Sequence, residues 1–193
     1  MASLWTATLL FAVCLASAAD VTLEEDVRNG SSPALPILKR LKRVSCRTTE
    51  MNWHVEGLRE MMSEALSSGK SNKFSDDFVL NAYTAKLHFR VARHDGELWL
   101  ELYLGFCKGR TDQRLVWPFR TPYTLTIFHP TDETLDISKT ISSFSSATFG
   151  SFKRPRDGCN KSWGFPELLR VSVAEEQGYV VDNAISVGVK LNP

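Results

Sequence analysis

Apolar and polar residues alternate with period two through much of this chain. Leu87, Phe89 and Val91 alternate with Lys86, His88 and Arg90, and Leu98, Leu100, Leu102 and Leu104 alternate with Trp99, Glu101 and Tyr103. The pattern returns at Tyr123, Leu125 and Ile127, at Leu169, Val171 and Val173, and at Ile185, Val187, Val189 and Leu191. Short runs of this kind are strands with one face in a core. Several of them, separated by turn residues and without helices between, predict an all-β fold, an antiparallel β-sandwich. One stretch departs from the pattern. Val55, Leu58, Met62, Ala65 and Leu66 fall at helical spacing, which predicts a short amphipathic helix near residues 55–68.

The N-terminal stretch follows a different rule. Residues 5–19 form an apolar run closed by Ala16-Ser17-Ala18, a small-x-small cleavage pattern, and Asp20 is the first charge of the chain. This is the layout of a signal peptide over residues 1–19, too short for a bilayer span, so the product is expected to be secreted into the extracellular space with no membrane span. Residues 20–50 hold Asn29-Gly30, Pro33 and Pro36 without sustained periodicity and read as an extended arm. Within it, Arg40-Leu41-Lys42-Arg43 has the spacing of cations that an acidic protease cleft can pair on an extended chain. The arm is thus a candidate propeptide, with Arg43 as the processing candidate. Residues 51–193 form the folded domain.

Composition narrows the choice of function. The chain has 193 residues, 43% hydrophobic and 23% charged, with Lys+Arg 23 against Asp+Glu 22. A net charge of +1 excludes a disordered polyelectrolyte and gives no overall electrostatic ground for nucleic-acid binding. Loss of the signal peptide would remove Cys14 and leave Cys46, Cys107 and Cys159, which allow one bridge in three pairings. No C-x-x-C or zinc-spaced Cys/His cluster occurs. His54, His88, His94 and His129 belong to no H-E-x-x-H motif, and the chain has no G-x-S-x-G elbow or phosphate-binding glycine loop. No catalytic residue, metal or cofactor is expected.

Several segments resemble the TRAF-type MATH domain, the C-terminal domain of the TNF-receptor-associated factors. Gly109-Arg110-Thr111-Asp112 leading to Trp117-Pro118-Phe119 is similar to that family's R-G-E-Y-D-x-x-L-P-W-P-F run, and Thr124-Leu125-Thr126-Ile127 follows as its strand does. Ser151-Phe152-Lys153-Arg154-Pro155, then Asn160, Gly164 and Pro166, resemble S-F-Q/K-R/K-P and N-x-x-x-G-x-P. Tyr179 to Ile185 resembles the closing strand, while Phe74 to Phe78, Lys86 to Val91 and Trp53 resemble upstream ones. The likeness runs from about Trp53 to Leu191 and implies an eight-stranded antiparallel β-sandwich.

The resemblance also implies a function: a non-enzymatic module binding a protein or peptide ligand by strand addition beside side-chain pockets. Carried over residue by residue, the groove comprises Arg90, Asp95 of the Asp95-Gly96 turn, Leu104, Phe149, Ser151, Trp163, Gly164 and Phe165. Ala92 stands where the family has a tyrosine, and only Ser151 remains of a serine triplet. Fewer hydroxyls and added aromatics predict preference for apolar, aromatic or proline-bearing ligands. Asn29-Gly30-Ser31 and Asn160-Lys161-Ser162 are glycosylation candidates in a secreted chain. Without RING, zinc fingers or a long coiled coil, the only assembly implied for the domain alone is a weak homo-trimer. The alternative reading is an intracellular signalling adaptor of the same family, its N-terminal apolar run not functioning as a signal.

Overall fold

The computed structural model describes residues 48–192. The signal peptide, almost all of the arm, Asn29, Arg43 and Cys46 lie outside the described residues.

In chain order the elements are β1 (Glu50–Glu56), α1 (Leu58–Ser68), β2 (Lys70–Phe74), β3 (Phe78–Leu80), β4 (Tyr83–His94) and β5 (Glu97–Phe106), then β6 (Tyr123–Phe128) and β7 (Ile137–Ile141). They continue with α2 (Phe149–Phe152), β8 (Trp163–Arg170), α3 (Val171–Glu176) and β9 (Ala184–Leu191). One sheet has the order β1-β9-β6-β7 and the other β2-β4-β5-β8, with every pairing antiparallel. These two four-stranded ladders are the predicted eight-stranded sandwich, and β3 adds a three-residue strand against β4.

Period-two patterning builds the core as expected. Leu87, Phe89 and Val91 of β4 and Leu100, Leu102 and Leu104 of β5 are buried, as are Leu125 and Ile127 of β6 and Val187 and Val189 of β9. The Trp117-Pro118-Phe119 motif closes one end of this core. Phe119 is buried 4.3 Å from Phe106 by ring centroids, Tyr83 meets both Trp117 and Phe119 edge-on at 5.0 Å, and Trp117 Nε1 donates to the Asp112 carbonyl at 3.1 Å. Such edge-on packing adds to the burial of each ring.

The predicted helix forms as α1, with Leu58, Met61 and Ala65 buried. Val55 belongs to β1, and Leu66 is 54% exposed instead of joining the apolar stripe. The residue before α1 is Gly57, which has no side chain to cap it. Asn183 supplies the cap from a distant turn: its carbonyl and Oδ1 accept from the backbone N–H groups of Leu58 and Arg59, at 3.0 and 2.7 Å.

Two other expectations fail. Val171 and Val173 read as the end of a strand, but Val171–Glu176 is helical, because the buried pair is Val171 and Ala174, three residues apart on one helix face. Glu101 sits at a polar position of the β5 alternation yet is fully buried, covered on the outer face by its ion-pair partners. Among the described residues no helix is long and apolar enough to cross a membrane.

Candidate binding groove

The β4–β5 hairpin sets the geometry of the outer face. Asp95 and Gly96 form its two-residue loop with φ of 49° and 85°, the doubly left-handed turn whose twist suits a tight hairpin. Counting back from the turn, the register places Arg90 opposite Glu101 and His88 opposite Tyr103. Phe74 of β2 lies opposite His88, and Gly164 of β8 lies opposite Tyr103. One row therefore crosses all four strands as Phe74, His88, Tyr103 and Gly164. The first three rings contact in series, with centroids 4.4 Å apart for Phe74 and His88 and 5.4 Å for His88 and Tyr103.

Where the row reaches Gly164, there is no side chain. A Cβ there would lie 2.1 Å from the Leu102 carbonyl oxygen, so the approach of β8 to β5 requires glycine. Beside it opens a cleft of about 620 Å³ lined by His88, Arg90, Tyr103, Lys161, Ser162, Trp163, Gly164 and Pro166. The cleft borders β8, an outer strand of its sheet.

Electrostatics in the cleft centre on Glu101. Its Oε2 accepts from Arg90 Nε and, at 2.7 Å, from the Tyr103 hydroxyl, and its Oε1 lies 2.7 Å from His94 Nε2. Arg90 Nη2 also donates to the Tyr103 oxygen at 2.6 Å. A fully buried carboxylate is tolerable only with its lone pairs satisfied in this way. Burial works against the Arg90 charge, but the hydrogen bond and charge of Glu101 hold the guanidinium above its ordinary value. Burial, then the bond it donates to Glu101, raises the Tyr103 phenol. Arg90 is thereby fixed in direction at the cleft wall.

His88 is bracketed by Ser162 Oγ, 3.0 Å from Nδ1, and Asn72 Oδ1, 2.9 Å from Nε2. An amide oxygen only accepts, so Nε2 carries the proton and Nδ1 accepts from the serine. The order Ser–His–Asn is that of a hydrolase triad, but its chemistry is poor. Burial and then the Arg90 charge lower the imidazole to about 4, too weak a base to take a serine proton near neutrality, and the neutral Asn72 amide cannot stabilise an imidazolium as a carboxylate does. The chain of bonds holds the groove wall in place.

Of the sequence-predicted groove residues, the structure brings Arg90, Trp163 and Gly164 together at this cleft. Asp95 lies in the exposed hairpin turn. Leu104 is 1% exposed and faces the core, which removes it from the groove. Phe165 packs against core residues, with Lys139 Nζ 5.7 Å from its ring centroid. Phe149 is exposed beside a separate hollow lined with Phe119, Phe144 and Phe152, and Ser151 is buried at α2. Asn160 donates its amide to the carbonyls of Ser151 at 3.2 Å and Lys153 at 2.6 Å, and Ser162, the hydroxyl residue of its sequon, is engaged by His88. The sequence reading missed His88, Glu101, Tyr103, Lys161 and Ser162. Counting register back from Asp95-Gly96 would have found the first three.

The site is thus a recessed, partly cationic outer face beside an outer strand of a β-sandwich. The chain belongs to the MATH domain family, whose family model matches residues 50–191. Among solved structures it is similar to TRAF5 of Notothenia coriiceps, with a TM-score of 0.64 and 23% identity, covering 75% of this chain and 73% of that one. At that identity the likeness is one of fold. No protein of curated function matches the chain. As a MATH domain it is a protein-binding module.

Proposed function

We propose that this protein is a secreted, non-enzymatic module that captures an extended peptide segment of a protein ligand along β8, seating side chains in the cleft at Arg90, Tyr103, Trp163 and Gly164. The observation that carries the reading is the cleft itself: apolar walls from Trp163 and Pro166, a directed guanidinium at Arg90, and a neighbouring outer strand able to give register to an added strand. The ligand expected is apolar or proline-bearing with one acidic or carbonyl group to meet Arg90. Secretion is supported by the disulfide between Cys107 and Cys159, a bond that persists in oxidising compartments, together with the N-terminal apolar run.

The full chain expressed in a eukaryotic secretory host tests both parts. Intact mass of the medium fraction should begin near Ala19, Asp20 or Val44. Retention in the cell with Met1 present overturns secretion and favours the intracellular adaptor. Selection from a random dodecapeptide display library should enrich binders whose affinity falls at least ten-fold with Arg90→Ala and with Trp163→Ala. Binders indifferent to both substitutions overturn the groove.

A further inference from the structure

Two loops far apart in sequence meet at the disulfide. Cys107 and Cys159 pair as an isolated β-bridge, and the Lys108 N–H donates to the Gly158 carbonyl at 2.7 Å. The segments flanking this junction enclose a second cleft, of about 640 Å³, that shares no lining residue with the peptide groove. Its walls carry Lys108, Arg110, Lys153, Arg154 and Arg156. Among the described residues only Lys108 of these has an ion-pair partner, the exposed Asp157 at 3.3 Å. Five cations thus stand around one hollow in a chain whose net charge is +1. Cations gathered at a cleft focus the field there and raise the local concentration of anions.

A second feature narrows the ligand. Asp112 also lines this cleft and is 3% exposed. Its Oδ2 accepts from the Gly109 N–H at 2.8 Å, while Oδ1 is buried with no hydrogen-bond partner among the described residues. A buried acceptor left unpaired is costly, so a ligand that brings a donor gains by supplying it. The site therefore calls for several anionic groups and a hydroxyl or N–H on the same molecule. Inorganic polyphosphate offers acceptors alone at neutral pH. Sulfated sugars carry both.

We propose that this cleft binds sulfated polysaccharide, the polyanion a secreted protein meets at cell surfaces and in matrix. The choice of source rests on the secretion argued above, and the cleft's preference for a polyanion does not. The chain would then be held on a sulfated surface through one site while its groove remains free for a protein ligand.

The test uses the full secreted chain on heparin, with affinity measured across a salt series. Lys153→Glu/Arg154→Glu/Arg156→Glu should weaken heparin binding at least ten-fold and flatten the log K against log salt slope by about three, one per cation removed. Arg154→Gln/Arg156→Gln, a milder pair at exposed positions, should weaken it in the same direction with an unchanged unfolding midpoint. An equal charge reversal elsewhere, Arg59→Glu/Lys70→Glu/Lys190→Glu, should change it less than two-fold. Equal loss in that control, or heparin binding indifferent to the cleft substitutions, overturns the site. Inorganic polyphosphate of matched charge should bind at least ten-fold more weakly, and equal binding overturns the sugar assignment. Arg90→Ala and Trp163→Ala should leave heparin affinity unchanged, so failure of the groove and failure of this site are separable.

Discussion

Arg90 and Glu101 face one another directly across the β4–β5 ladder, and the carboxylate of this pair is completely removed from solvent while the guanidinium keeps one side in the cleft. The pair is a fixed mount for a cation at the cleft wall. Glu101→Ala leaves a half-buried guanidinium and the Tyr103 hydroxyl without their acceptor, and should cost about 3 kcal/mol in urea unfolding. Glu101→Gln keeps the shape and one acceptor oxygen and should cost clearly less.

His88 makes stability depend on acidity. The imidazole titrates near 6.5 when free and at about 4 in the fold, lowered by burial and by Arg90. Between those values the unfolded chain binds more protons than the folded one, so stability rises with pH across the window and is lost as pH falls through it. Unfolding midpoints at pH 4.5, 5.5 and 7.0 should climb in that order, and His88→Gln should flatten the climb.

The disulfide closes a long loop, its cysteines lying 52 residues apart in sequence. Cys107→Ser/Cys159→Ser should lower stability by about 2–4 kcal/mol, read from denaturant midpoints, and should loosen the basic cleft that the bridge holds together.

Gly164 tests the groove from the backbone side. Gly164→Ala drives a Cβ into the Leu102 carbonyl and should cost about 1–3 kcal/mol through displacement of β8. Weakened peptide capture should accompany that loss, with amide exchange accelerated in β8 before β4.

Asn183 caps a helix it does not adjoin in sequence, and its φ of 63° is one that asparagine tolerates better than alanine. Asn183→Ala should destabilise by about 1–2 kcal/mol, with faster exchange at Leu58 and Arg59 as the specific readout.

The strands were legible because burial of one sheet face imposes period two, and the runs through Leu87–Val91 and Ile185–Leu191 carry that imprint cleanly. Residues 169–173 show the limit: Leu169, Val171 and Val173 satisfy a strand template, while the helix is marked only by the spacing of Val171 and Ala174. Motif likeness led to Arg90, Trp163 and Gly164 but placed Leu104 on the wrong face, a fault of inheriting a position without its alternation. Long-range meetings were illegible for a different reason. Nothing local to Lys108–Gln113 announces Lys153–Arg156 as its neighbour, and three cysteines allow three pairings until the fold selects one.

The pairing of β5 with β8 breaks between Leu100 and Leu102, where Pro166, Glu167 and Leu168 stand opposite Glu101 alone. Pro166 has no N–H to offer, and Glu167 turns through a φ of 56°. An incoming strand therefore finds a regular rail only along Trp163 to Phe165 and is derailed after it. Other copies of the domain meet the same interruption, so this outer strand resists the endless edge-to-edge stacking to which open sheets are prone.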